Sequence, residues 1–563
     1  MEGIPSPPAG LSSLPPELGD YIASFLTNRD IKSLRLTSSS VCRIVTLRLQ
    51  RVFIGANPRN IQVAYEVANH ETFRTRVQEI IWDGTYLGWD GSTIWENSTV
   101  TSSQLDWYTQ SCRNSIALLG TTERWPGDVA RMRQLAAAMG PVESIEIYKE
   151  LLRGQNSVLE SGADIKAFEY TLNRFTSLRR VTISNKTHGR LFMPVYQTPM
   201  IRSFPYGFVY TLPRLILDLS VLPKDKTRKT MDIRSVRSTL RALAKHGKHN
   251  VSEFILDDEM RFSIGLDDKT TLADLYSLVQ RPGFRRLHLR NMYPIQAYKL
   301  LEKAENLQSL YFRVSDYDPS HRWDFSAAQA SGGVAVQMNT YLEFPMPLSQ
   351  SLQNLAITGY GVDADSLATA LAPLAYLRSL ELRSVSFYHW IHCRSGMRVM
   401  RSRNARDFLY ALRDKTDWRS RPLRPKVTII IKQDVSCFTG KLLKIDSEVN
   451  KFLYKDGENP FLPVQQSHEY PPWHNIVKMC SGKGVWIDEL DPECERPNYD
   501  DDKTLERCLL ERRPLERRLH HEQNLSIYEF RRPDSWRDGP WGPRTCPTLE
   551  EQGINPDCGG QLE

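Results

Sequence analysis

No stretch of the 563-residue sequence approaches the roughly 18 consecutive apolar residues that a membrane span requires. The opening MEGIPSPPAG carries an acid and three prolines where a secretory signal would carry a basic and then an apolar run. The expected location is therefore cytoplasmic and/or nuclear, with no membrane partner. Cysteine is sparse: the nine residues are widely spread and never spaced as C-x-x-C, which argues against a disulfide framework or a zinc ribbon and for free thiols. Net charge is small, with 73 basic against 66 acidic side chains, so a global affinity for nucleic acid is not expected.

Chemistry-bearing motifs are absent too. There is no phosphate-cradling Gly-rich loop followed by Lys-Ser/Thr, no His-Glu-x-x-His and no Gly-x-Ser-x-Gly. Ser481-Gly482-Lys483-Gly484 is a lone Gly-Lys pair. His389-Trp390-Ile391-His392-Cys393 offers imidazoles and a thiol but no second cluster to close a zinc site. No catalytic residue, no metal and no cofactor is assigned, and the expectation is a non-catalytic protein.

Charge is present, but in one place. Arg394 to Lys426 holds 11 basic and three acidic residues, a surplus larger than the net +7 of the whole chain. This segment reads as a solvated basic helix and loop, with a nuclear-import signal or a patch for an acidic partner as the alternatives. Phe408, Leu409, Tyr410, Leu412 and Trp418 within it have the look of a helix's buried face rather than a base-stacking platform.

The first fifty residues predict three short helices. Pro15 suits a helix start, Glu17 suits the positive end of the helix dipole, and Leu18, Ile22, Phe25 and Leu26 share one apolar stripe. Asn28 or Asp30 opens a second helix with Ile31 and Leu34 inside, and Val41, Ile44 and Val45 mark a third. So short a unit buries little apolar area and calls for a partner. In the order Leu14-Pro15-x-Glu17-Leu18, Ile22, Leu26, Asp30, Leu34, Leu36, Ser38, these residues resemble the F-box; Val41-Cys42 stand where many F-boxes carry a Trp. The resemblance implies docking onto the Skp adaptor, and through it a cullin, by Leu14, Pro15, Glu17, Leu18, Ile22, Phe25, Leu26, Ile31 and Leu34.

Beyond it, the pattern apolar-x-x-apolar-x-apolar recurs from Val77, Val142, Leu178, Phe284, Leu307, Leu352 and Leu377, with further starts at Leu212 and Val251. Helical stretches at Ala163 to Phe175, Ser235 to Lys245, Thr271 to Val279 and Asp365 to Leu371 separate the copies. Strand and helix in alternation suit a parallel-sheet stack of repeats, and the array resembles irregular leucine-rich repeats. Ser326 to Thr340 reads as a loop insertion, Asn404 to Arg413 as a helix, Lys426 to Lys432 as a strand, and Gly440 to Tyr454 as an amphipathic closing element. The run from Glu448 to Phe461 is similar to the ending of large F-box proteins of filamentous fungi.

The expected fold class is thus α+β or α/β: a disordered N-terminus at 1–10, a three-helix F-box at 11–55, a degenerate leucine-rich-repeat-like α/β solenoid at 56–461, and a largely irregular tail at 462–563 with one helix near Lys503 to His521. The resemblance implies a substrate-recognition subunit of an SCF-type ubiquitin ligase, which holds a target near the charged conjugating enzyme and so acts by proximity. The outward strand positions Arg180, Arg286, His288, Arg290, Tyr311, Arg313, Glu381 and Arg383, with Thr182, Ser309 and Ser379, are the candidate target-binding residues. Their arginines suit carboxylates or phosphates, hence an acidic or phosphorylated protein target. A non-degradative F-box scaffold and an enzyme with a divergent site are the rival readings.

Overall fold

In the computed structural model of the protein, the described residues are 14–26, 28–45, 47, 49–88, 100–120, 133–185, 187–189, 191–192, 194–212, 227–257, 269–290, 299–313, 346–358, 361–383, 385–392, 398–403, 405–432, 441–461 and 484–488. The expectations for 1–10, for the insertion Ser326 to Thr340 and for the helix near Lys503 to His521 fall outside them.

The fold is mixed α/β around one long, mostly parallel sheet. Its strands are β1 (Arg51–Gly55), β2 (Glu79–Asp83), β3 (Arg180–Ser184), β4 (Glu253–Asp257), β5 (Arg286–Arg290), β6 (Ser309–Arg313) and β7 (Asn354–Thr358). After β8 (Gly361–Asp363) come β9 (Ser379–Arg383), β10 (Ser386–His392), β11 (Arg398–Arg403), β12 (Lys426–Lys432), β13 (Lys441–Ile445) and β14 (Val485–Asp488). The sheet runs β1-β2-β3-β4-β5-β6-β7-β9-β12-β13-β14, while β11-β10-β8 form a small sheet beside it. Within the long sheet every pair from β1 to β12 is parallel and β12–β13 and β13–β14 are antiparallel; in the small sheet β10 pairs antiparallel with β11 and parallel with β8.

Register is kept from rung to rung. Arg51, Glu79, Arg180 and Glu253 pair in one row, and Arg286, Ser309, Asn354, Ser379 and Lys426 continue it. With side chains alternating along each strand, the second and fourth residues of every rung face one way. Those residues, such as Val181, Ile183, Leu287, Leu289, Leu380 and Leu382, form the main core. Helices between the rungs cover that face with Ala64 and Val67, Phe168 and Leu172, Leu240 and Leu243, Leu275 and Leu278, Leu367 and Leu371, and Phe408 and Leu412. The first, third and fifth residues of each rung lie on the other face.

Four expectations need correction. The six-residue pattern at Val142 lies inside the helix Pro141–Ser161, where Ile145, Tyr148 and Leu152 are buried at helical spacing and Val142 is exposed. The copy expected from Leu212 runs into residues outside those described, and it places no rung between β3 and β4, which pair directly. The boundary at 55/56 comes too late, since β1 already belongs to the sheet and the N-terminal helices end at Ile44. The tail contributes β14, paired with β13.

The helix starts are sequence-local. Pro58–Asn69 begins at Asn57, whose side chain accepts from Arg59 N–H, with Pro58 in the first turn. Pro141–Ser161 and Ala163–Arg174 are joined at Gly162, whose φ of 64° few other residues adopt without strain. Helix Ser102–Gly120, helix Pro141–Ser161 and the segment around 208–210 build a second core on Tyr108, Cys112, Ile116, Tyr148, Phe208 and Tyr210. Cys42 and Cys112 are free thiols.

Candidate functional site

The N-terminal helices Pro16–Ser24, Asn28–Thr37 and Ser39–Ile44 share a minimal core of Ala23, Ile31, Val41 and Val45. Ser38 caps the third helix by accepting from Ser40 N–H. Gly19 lets the first helix approach the third: a Cβ there would collide with the Ile44 side chain. The first helix therefore turns its small residues, Gly19 and Ala23, inward. Its bulky ones face out, with Leu18 48%, Tyr21 63% and Phe25 72% exposed. Tyr21 and Phe25 meet edge to face at 5.0 Å. Leu36, on the second helix, is 88% exposed. An apolar face turned to solvent on so small a unit is the signature of an interaction surface.

The predicted adaptor residues divide accordingly. Pro15, Glu17, Leu18 and Phe25 are exposed, and Leu14 and Ile22 are half-buried. Leu26 and Leu34 pack against the small core, and Ile31 is fully buried within it, so Ile31 supports the face rather than forming it. Tyr21 was missed by the sequence reading; its place one helical turn from both Leu18 and Phe25 is the signal that would have found it.

On the outer face of the sheet, the predicted target-binding residues come together by register, but the first row is occupied by its own ion pairs. Charges alternate along it as Arg51, Glu79, Arg180, Glu253 and Arg286. Arg51 Nε donates to Glu79 Oε2 at 2.7 Å, and Thr182 Oγ1 donates to Glu79 Oε1 at 2.6 Å. Arg180 Nε donates to Glu253 Oε2 at 2.7 Å, joined by Arg286 at 3.3 Å and Arg285 at 3.4 Å. The Arg180 and Glu253 side chains are only 5% and 1% exposed. Arg180 and Arg286 are thus not the free guanidinium forks that the sequence reading expected, and the carboxylate that holds them is part of the fold.

Further along the face, the His288 and Tyr311 rings lie 3.7 Å apart, both buried, and Thr358 Oγ1 donates to the Tyr311 hydroxyl at 2.7 Å. Ser379 Oγ donates to Asn354 at 2.8 Å, and Arg383 donates to Glu381 at 3.0 Å, both partners half-buried. Arg290 and Arg313 are register neighbours in the fifth row, where Arg313 pairs with Thr358 and Thr358 with Arg383.

The basic segment is likewise stitched into the fold. Arg421 donates to the carbonyls of Leu374 and Ala372 and pairs with Asp417 at 2.6 Å. Lys415 pairs with Asp365 at 2.8 Å and Arg419 with Asp456 at 3.0 Å. Phe408, Leu409, Leu412 and Trp418 are buried, as read from the sequence.

Two buried titrating groups lie elsewhere, beyond the ends of β2 and β3. Burial pushes the Asp83 carboxyl up to about 6, against hydrogen bonds from Thr85 and Thr187. Burial pushes the nearby His188 down to about 3. Among the described residues, no group of three or more His, Cys, Asp or Glu side chains is placed to hold a metal ion, and no helix is long and apolar enough to cross a membrane. No protein-family model matches the chain, and no curated protein is similar to it in sequence.

Proposed function

We propose that the chain is a substrate-receptor subunit of an SCF-type ubiquitin ligase, with an F-box at the N-terminal helices and a target-holding, leucine-rich-repeat-like array in the sheet. The observation that carries the reading is the outward face of Leu18, Tyr21 and Phe25 on a three-helix unit too small to need it for its own core. The resemblance of Leu14-Pro15-x-Glu17-Leu18 and the residues after it to the F-box gives that face an occupant, the Skp adaptor. The in-register parallel rungs, each with a helix behind it, support the repeat reading for the sheet. The chain then contributes proximity and not bond-making: it raises the effective concentration of the target's lysines at the conjugating enzyme.

A pull-down of the full chain with purified Skp adaptor tests the reading. Covering an apolar side chain of this size contributes about 1.5–3 kcal/mol, so Leu18→Ala/Phe25→Ala is expected to weaken binding by roughly a hundredfold or more. Absence of binding by the unaltered chain would remove the anchor and the proposal with it.

A further inference from the structure

Consecutive rungs are fastened to each other at the turns that lead from helix into strand. Asn250 Nδ2, before β4, donates to the Thr176 carbonyl at 3.2 Å, and Ser351 Oγ, before β7, donates to the Leu307 carbonyl at 2.9 Å. Two turns use a guanidinium instead. Arg421 donates to the Leu374 and Ala372 carbonyls, and Arg281, before β5, donates through Nη2 to the carbonyls of Gly247 and His249, each at 2.9 Å. The Arg281 joint closes around an imidazole, which the Arg421 joint does not contain.

Three contacts meet on the His249 ring. Val251 N–H donates to Nδ1 at 3.2 Å, Nε2 lies 3.0 Å from the Leu243 carbonyl, and Arg281 Nη1 lies 2.9 Å from Nε2. A backbone N–H can only donate and a carbonyl can only accept, so the ring carries its proton on Nε2 and a bare lone pair on Nδ1. That is the neutral form. A second proton, on Nδ1, would meet the Val251 N–H head-on and leave the amide of this buried residue without its acceptor. It would also set a cationic ring 2.9 Å from a guanidinium.

The charged surroundings of the ring come from three helix ends and the sheet. Arg281 faces it from the turn after helix Lys269–Val279, and Lys245, His246 and the exposed Lys248 come from the end of helix Thr227–Lys245 and the turn beyond it. Glu169 of helix Ala163–Arg174 is shared by Lys245 at 3.6 Å and His246 at 3.8 Å, and Glu253 of β4 is held by Arg180, Arg285 and Arg286. Burial holds the His249 imidazole below its ordinary 6.5, against the bond to Leu243, and the Arg281 and His246 charges lower it further.

We propose that the His249–Arg281 joint is an acid-sensitive hinge between the rungs of β4 and β5: neutral His249 holds the two turns together, and its protonation parts them. The device belongs to the array itself and does not depend on what the array binds. In the parted form the ring returns to water and to its ordinary 6.5, above its closed-form value. A base lowered by closure favours the closed form fully above 6.5 and loses that advantage as pH falls below it towards the closed-form value. One pH unit below the ordinary value, the closed-to-parted ratio has fallen by up to about tenfold.

Hydrogen exchange on the full chain at pH 7.5 and pH 5.5, corrected for the intrinsic rate, reads this ratio at two amides. One is Val251, and the other is Phe284, whose N–H donates to the Arg281 carbonyl at 3.1 Å. Both are expected to open several-fold more often at pH 5.5, up to about tenfold. The Arg421 joint supplies the control: Leu377, whose N–H donates to the Leu374 carbonyl, is expected to open equally at both pH values. His249→Asn keeps an acceptor for the Val251 N–H but no group that titrates in this range, and should flatten the response, while His246→Gln should leave it intact. Equal opening of Val251 at both pH values in the unaltered chain overturns the proposal. So does a response that survives His249→Asn, vanishes in His246→Gln, or is as large at Leu377.

Discussion

Glu253→Gln tests whether the ion-pair row is part of the framework. The replacement keeps the side chain's shape and one acceptor but removes the charge that Arg180, Arg285 and Arg286 share at 2.7, 3.4 and 3.3 Å. Arg285 is about half-exposed and can turn to water, whereas Arg180 is 5% exposed and cannot. Stranding a buried guanidinium costs about 3–5 kcal/mol when its partner is removed outright, and Gln should realise a large part of that. Replacing both partners with apolar residues, Arg180→Met/Glu253→Leu, removes the stranded Arg180 charge and is expected to recover much of the loss. The matched contrast is Arg51→Met. Its guanidinium is 41% exposed beside Glu79, so its loss should cost about 1 kcal/mol or less. Urea unfolding followed by tryptophan fluorescence measures all four chains. Equal costs for Glu253→Gln and Arg51→Met, both below about 1 kcal/mol, would refute the argument that burial, and not the ion pair as such, sets the price.

Gly207→Ala should destabilise the second core selectively: Gly207 has φ of 77°, and a Cβ there would run into the carbonyl of Ala137, so local hydrogen exchange in 133–161 should rise while the rungs stay protected. Trp418→Phe should cost only about 1–2 kcal/mol, the loss of packing volume alone. The reason is that Trp418 is 1% exposed and its indole N–H has no hydrogen-bond partner among the described residues, so a cost above about 4 kcal/mol in thermal unfolding would refute the expectation. Ile31→Ala should unfold the N-terminal helices, at about 2–5 kcal/mol for a fully buried aliphatic side chain, whereas Leu18→Ala/Phe25→Ala should leave their circular dichroism and melting unchanged.

The rungs were legible in the sequence because each is a five-residue alternation in front of a helix, and the core reads every second residue. Leu178, Phe284, Leu307, Leu352 and Leu377 each led to a strand. The same alphabet misled at Val142, where the helical position +3, Ile145, coincides with the strand template and the Gly140-Pro141 start signal decides for the helix. The ion-pair row was not legible, since Arg180 and Glu253 are 73 residues apart and become neighbours only once β3 is known to pair with β4 and not with a strand at Leu212. The outer face of the first helix was half legible. The stripe Leu18, Ile22, Phe25, Leu26 was read as one surface, but Gly19 packing on Ile44 rotates Leu26 inward and Tyr21 outward.

Charge counted along a sequence overstates the charge that a fold leaves available. Lys415, Arg419 and Arg421 of the basic segment pair with Asp365, Asp456 and Asp417, and in the first sheet row two glutamates hold the arginines beside them. For the proposed receptor role this narrows where a target is selected. The first row is a spacer whose residues hold one another, and β1 to β4 offer acids or small residues at the fifth position: Gly55, Asp83, Ser184 and Asp257. From β5 to β9 the fifth position reads Arg290, Arg313, Thr358 and Arg383, beside the buried His288 and Tyr311 rings. Arg290 and Arg313 are register neighbours on adjacent strands. Under the proposed receptor role, Arg313→Ala is expected to weaken binding of an acidic or phosphorylated segment, whereas Arg180→Ala is expected chiefly to weaken the fold.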